Sequence, residues 1–185
     1  DHRDLHSFPT RRSSDLCDVT ISTGKGELGI LTGARLEKFY RNILSDYDRL
    51  QFGYEVIKQM SKAADALDEP AFFELLDQAL AALDDTELLL PVLKTWFWLQ
   101  LAILLGVGVN LATDDSGMKL VEDARYNFDA NSGALVFHER GQFTSDHIKL
   151  LRILSAQPPN VAMHVANIET LIDDCLWLAE RGVAH

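Results

Sequence analysis

NLATDDSGMKLVEDARYNFDANSGALVFHERG, residues 110–141, decides the architecture because its pattern differs from that of the chain on either side. Arg125–Asp129 and Ala134–His138 read as short strands, and Ala130–Gly133 between them carries the Asn, Ser and Gly of a reversal. Upstream, Leu89–Leu105 is apolar nearly all round, and Gly106 and Gly108 follow it as a stop. Downstream, Thr144–Ala156 returns to helical spacing. A β-hairpin inserted at about 109–142 therefore interrupts a helical bundle, and the fold class is mainly α.

An insert this poor in apolar residues often needs a metal staple. Leu111–Gly117 has the layout of one metal-binding knuckle, with Thr113 and Ser116 where cysteines would stand. A second knuckle would fall near Phe137 and Arg140. None of these side chains binds zinc tetrahedrally, so the hairpin reads as degenerate zinc-ribbon-like and metal-free. Packing by Leu120, Phe128, Leu135 and Phe137 is expected to replace the ion. No cofactor is implied elsewhere.

Working outward, Val19–Ile21 is β-prone and precedes a glycine-rich stretch. Gly24-Lys25-Gly26 is followed by Glu27, so it is not a phosphate loop but the turn of a strand–turn–strand edge leading into a helix. Thr32 is the expected N-cap of a helix to about Leu44, with Leu36, Phe39, Tyr40, Ile43 and Leu44 on one face. Asp46 restarts the helix, carrying Tyr47, Leu50, Tyr54, Ile57 and Met60. Asp68 caps the next one, with Pro70 in its first turn and Phe72, Leu75, Leu76, Ala79, Leu80 and Leu83 inward. After Pro158-Pro159 a last helix restarts near Val161 and carries Val165, Ile168, Leu171, Ile172, Cys175 and Leu178.

The chain has 185 residues, net charge −11 and 47% hydrophobic residues, a folded and acidic composition. Ala63–Leu93 carries acids at Asp65, Asp68, Glu69, Glu74, Asp77, Asp84, Asp85 and Glu87 with no Lys or Arg, so nucleic acid is repelled there. Cys17 and Cys175 make neither a disulfide framework nor a zinc site, and a reducing cytoplasm is expected. Trp96–Val109 is too short to span a bilayer and contains Gln100, so no membrane association is expected. Beyond the first sixteen residues, His138, His147, His164 and His185 form no i, i+4 pair, and no nucleophile elbow is present. The pattern points away from an enzyme.

Asp1–Leu16 has neither an apolar signal core nor a period. Residue for residue it resembles the translation of a common short-read sequencing adapter. Residues 1–16 are therefore read as a non-native segment outside the fold, with the natural chain resuming at Cys17.

The order of parts carries a resemblance. Gly26–Thr32 joins an extended piece to helices. Leu36–Phe39 and Tyr47–Tyr54 make a first helical pair, and Phe72–Leu83 is an F-x-L-L-x-x-x-L-x-x-L helix. Phe97–Gly106 precedes the insert, and further helices follow it. This arrangement resembles the bacterial DNA repair protein RecO, a recombination mediator, over nearly all of Asp18–Gly182. It departs in lacking four cysteines, which removes the zinc site and leaves the fold.

The resemblance implies that 17–31 are a remnant of an N-terminal OB-fold and that 32–185 are a RecO-like helical domain. It implies a cytoplasmic, non-enzymatic role in DNA repair and recombination after DNA damage. Acting with RecR and single-strand-binding protein, such a mediator loads recombinase and anneals strands. Single-stranded DNA would be held mainly by the missing OB-fold, and the helical domain would receive the acidic, aromatic-ended tail of single-strand-binding protein. A receptor for that tail needs an apolar slot rimmed by cations. The candidate partner- or DNA-binding residues are Arg35, Lys38 and Arg41 on the first helix, Arg49 on the second, and Lys149 and Arg152 on a later one. The alternative is an unrelated all-α protein-interaction scaffold or regulator that uses the Leu/Trp-rich central region.

Overall fold

The computed structural model of the protein describes residues 15–23, 29–66 and 70–183. Within them the chain is mainly helical, with two small antiparallel hairpins. β1 (Asp15–Thr23) pairs with β2 (Gly29–Phe39), setting Cys17 opposite Leu36, Val19 opposite Ala34 and Ile21 opposite Leu31. Asp15 and Leu16 are thus the first residues of β1, and the rest of the adapter-like stretch lies outside the described residues. The helix expected from Thr32 is corrected here: the backbone stays extended to Phe39, and only a single 3-10 turn forms, at Asn42–Ser45. Leu36, Phe39 and Tyr40 fit a helical period, but pairing with β1 already satisfies the backbone of this segment. The helical body accordingly begins at about Tyr40, not Thr32.

α1 (Tyr47–Ala66) starts where expected, because Asp46 Oδ1 accepts hydrogen bonds from the amides of Asp48 and Arg49. Its inward face is Phe52, Val56, Met60 and Ala63, whereas Tyr47 and Tyr54 are exposed. The helix turns its fully apolar side chains in and leaves both phenols wet. α2 (Pro70–Asp84) buries Phe72, Leu75, Ala79, Leu80 and Leu83, while its expected cap Asp68 lies outside the described residues. α3 (Leu90–Leu104) is the centre of the bundle and packs against α2 and, further along the chain, α4 (Ser145–Ala156), α5 (Pro159–Ala162) and α6 (Ile168–Gly182). Having neighbours on most of its sides explains its nearly all-round apolar sequence, with Ile103 left exposed near its end.

α3 ends in a Schellman turn. Gly106 takes φ +73°, its amide donates to Ile103 O, and the Val107 amide donates to Ala102 O. In the insert β3 (Tyr126–Asp129) pairs with β4 (Ala134–Phe137), one residue shorter than expected at each outer end. Phe143 adds a third short bridge by exchanging both backbone hydrogen bonds with Tyr126. Gly141 lies flat against Tyr126, where a Cβ would sit 2.5 Å from its backbone nitrogen. Leu135 and Phe128 are buried as expected and Leu120 partly so. Phe137 is not: it is exposed, and its ring meets Tyr126 edge-on at 6.3 Å. Tyr126 and Phe143 fill the hairpin's core instead.

α6 also begins later than Val161. The proline pair opens the four-residue α5, and α6 starts at Ile168 after Asn167, which adopts the left-handed conformation at φ 57°. Ile168, Ile172, Cys175 and Leu178 then face the core.

Candidate functional site

The Schellman turn throws the chain away from the axis of α3, and the segment that follows returns beside α4. Between them opens a cleft of about 560 Å³. Leu99 and Ile103 form one wall, Val109 and Leu111 the second, and Arg152 and Ser155 of α4 the third. Asn110 fixes the second wall: its Oδ1 accepts from the amides of Ala112 and Thr113, and its Nδ2 donates to Thr113 Oγ1. Arg152 is clamped at the rim, with Nε and Nη2 both donating to Leu111 O at 3.0 and 2.6 Å. A guanidinium has five N–H donors, so this clamp leaves donors over for a ligand.

Arg152 also lines a second, smaller cavity of about 210 Å³ with Leu120, Glu122, Ile148 and Lys149. The two hollows thus lie side by side along α4, a helix of 12 residues and about 18 Å, with Arg152 between them, and together they are called the groove below. Lys149 Nζ lies 2.6 Å from Glu122 Oε1 and 3.7 Å from Asp146 Oδ1. Glu122 pushes the Lys149 ammonium above its ordinary range, and the lysine in turn holds the Glu122 carboxyl below its own.

Of the six cations singled out in the sequence, only Lys149 and Arg152 come together. Arg35 stands on β2 opposite Asp18, not on a helix. Lys38, also on β2, donates to both oxygens of Asp77 at 2.8 and 2.6 Å, and Tyr40 Oη donates to the same carboxylate. That lysine holds the Asp77 carboxyl below its usual range, and burial together with Asp77 pushes the Tyr40 phenol up. Arg41 is exposed just ahead of the 3-10 turn. Arg49 is 6% exposed and donates to the carbonyls of Leu83, Asp85 and Leu88, which gives it a structural task at the end of α2.

The remaining polar candidates serve local structure. Asp114 Oδ1 accepts from the amides of Ser116 and Met118 and from Ser116 Oγ, closing the first knuckle-like turn. His138 Nδ1 accepts from the Arg140 amide and His138 O from the Gly141 amide, closing the second. His147 is separately engaged in the α4 capping box with Thr144. Among the described residues no group of His, Cys, Asp or Glu is arranged to hold a metal ion, and no helix is long and apolar enough to cross a membrane. Trp96, Phe97 and Leu101 lie in the core, so the exposed part of the Leu/Trp-rich region is its end, at Ile103 and Leu105.

Sequence reasoning missed the cleft walls, since Ile103, Val109 and Leu111 look like ordinary core positions. The only hint was a helix stop at Gly106 without an immediate return to polar sequence. No family model, no curated protein and no solved structure matches the chain.

Proposed function

We propose that the chain is the helical part of a RecO-like recombination mediator, a non-enzymatic cytoplasmic protein that acts with RecR. In this reading the α3–α4 groove receives the acidic, aromatic-ended tail of single-strand-binding protein. The observation that carries it is the juxtaposition of an apolar cleft with Arg152 and Lys149 on an otherwise acidic protein. An aromatic side chain would enter between Ile103 and Leu111, and the acidic residues would lie along α4. The β1–β2 ribbon supports the companion idea that an OB-fold precedes the helices and holds most of the single-stranded DNA. Val19, Ile21, Leu31 and Leu36 occupy one face of that ribbon by register and all are exposed. Two strands with an uncovered apolar face are what the end of a larger β-domain presents. The two knuckle-like turns support a zinc-ribbon-like insert in which hydrogen bonds to Asp114 and His138 stand in for the metal.

The test is a fluorescence-anisotropy titration of the folded chain with a labelled acidic, aromatic-ended peptide at low and moderate salt. Saturable binding that weakens with salt is expected. Ile103→Asp should weaken it by about tenfold or more, because it sets a carboxylate against the aromatic ring and the peptide's own acids. No binding by a chain with native circular dichroism would overturn the assignment.

A further inference from the structure

We infer that Lys149 and Arg152 form an anion subsite of the groove, and that Glu122 fills this subsite as an internal carboxylate that an acidic residue of the bound peptide displaces. The inference rests on the docking reading above and adds to it a residue that sets affinity and selectivity.

Three observations carry it. Arg152 lines both cavities, so an anion beside it adjoins the apolar cleft. Glu122 Oε1 already sits at 2.6 Å from Lys149 Nζ inside the smaller cavity, occupying the place a ligand carboxylate would take. The Glu122 side chain is 74% exposed, so among the described residues only the solvated pair with Lys149 restrains it. Its backbone, by contrast, is fixed. The Val121 amide donates to Tyr126 Oη and the Ala124 amide to Val121 O, so Glu122 stands at the tip of an anchored turn. Displacement therefore needs a side-chain rotation and no rearrangement of the fold. Asp146, the other acid near Lys149, lies in the first turn of α4, where the helix dipole favours it, and remains when Glu122 leaves.

An internal carboxylate of this kind discriminates. A neutral peptide gains nothing at Lys149 that Glu122 does not already supply, whereas a peptide with a correctly spaced acid exchanges one ion pair for another and keeps its apolar anchor. Removing the Glu122 charge should tighten only the acidic ligand.

The experiment compares wild type, Glu122→Gln, Lys149→Gln and the double variant by anisotropy. Two peptides share an aromatic end, one with aspartates and one with asparagines in their place. Glu122→Gln should bind the aspartate peptide about 2–5-fold more tightly, the range of a solvent-exposed ion pair, and leave the asparagine peptide unchanged. In the Lys149→Gln background the Glu122→Gln gain should vanish, as a coupled pair requires. All four side-chain states lie on the surface, and circular dichroism checks their folding. Wild-type binding unaltered or weakened by Glu122→Gln overturns the subsite while the docking reading stands. Absence of binding to every variant overturns both.

Discussion

Replacing Arg49 with methionine tests whether a buried cation serves structure rather than recognition. The guanidinium reaches from the first turn of α1 to the carbonyls of Leu83, Asp85 and Leu88, and its bonds to Leu83 and Leu88 are buried. These carbonyls lie at and beyond the end of α2, where the last helical C=O groups lack intrahelical partners and no glycine turn follows. Methionine fills similar volume but donates nothing. Each stranded buried carbonyl costs about 1–3 kcal/mol. Relief from desolvating the guanidinium returns part of that. The net expectation is a loss of about 2–4 kcal/mol, a large share of the total for a domain of this size. With a urea dependence of about 2 kcal/mol per molar, the midpoint followed at 222 nm should fall by roughly 1–2 M. Arg49→Lys keeps the charge without the fork and should fall between. A loss under about 0.5 kcal/mol, the range of ordinary surface changes, would refute the structural assignment.

Two further outcomes follow from the insert and its junction with α4. Gly141→Ala places a methyl within 2.6 Å of the Tyr126 backbone. It should cost about 1–3 kcal/mol, read as a Tm lower by several degrees, and an unchanged Tm would contradict the close approach. His147 is held neutral: burial lowers its pKa below 6.5, outweighing the opposite pull of Asp174, whose Oδ2 lies 3.4 Å from Nε2 without an aligned hydrogen bond. Its Nδ1 accepts from the Thr144 amide, a role that protonation there abolishes. Because the unfolded chain binds this proton more readily, the associated stability is full above pH 6.5 and is lost as pH falls through the depressed folded value. His147→Gln keeps an N3 acceptor for the capping box. Between pH 7 and 5 its urea midpoint should decline less than that of wild type, and equal declines would refute the assignment.

The helical body was legible because its signals are local. Gly106 after an apolar run, Thr144 before a periodic one, and the Asn131-Ser132-Gly133 reversal each act within a few residues. The strand–turn–strand start was legible, but the length of β2 (Gly29–Phe39) was not, because Leu36, Phe39 and Tyr40 satisfy a helical spacing as well as an extended one. Only pairing with β1 decides between them. Arg49 misled for the same reason, since the carbonyls that bury it lie 34 to 39 residues away. Of the candidate site, Lys149 and Arg152 were readable as neighbours on one helix face. The cleft was not, because its walls come from the end of α3, the segment after it and α4, and meet only through tertiary packing.

Gln100, the one polar side chain in the middle of α3's most apolar stretch, donates through Nε2 to the carbonyls of Leu154 and Ser155 at the end of α4. Arg49 does the same for α2. In both cases carbonyls at a helix end find their donors on another helix, and at α4 these bonds add to the stop that Pro158 and Pro159 impose in sequence. Freed from their neighbours, these ends would fray. Order therefore spreads through the bundle as a chain of mutual stops. A single amide on α3 thus ties the last turn of α4, which lines the cleft through Ser155 and Ala156, to the helix that α4 itself packs against.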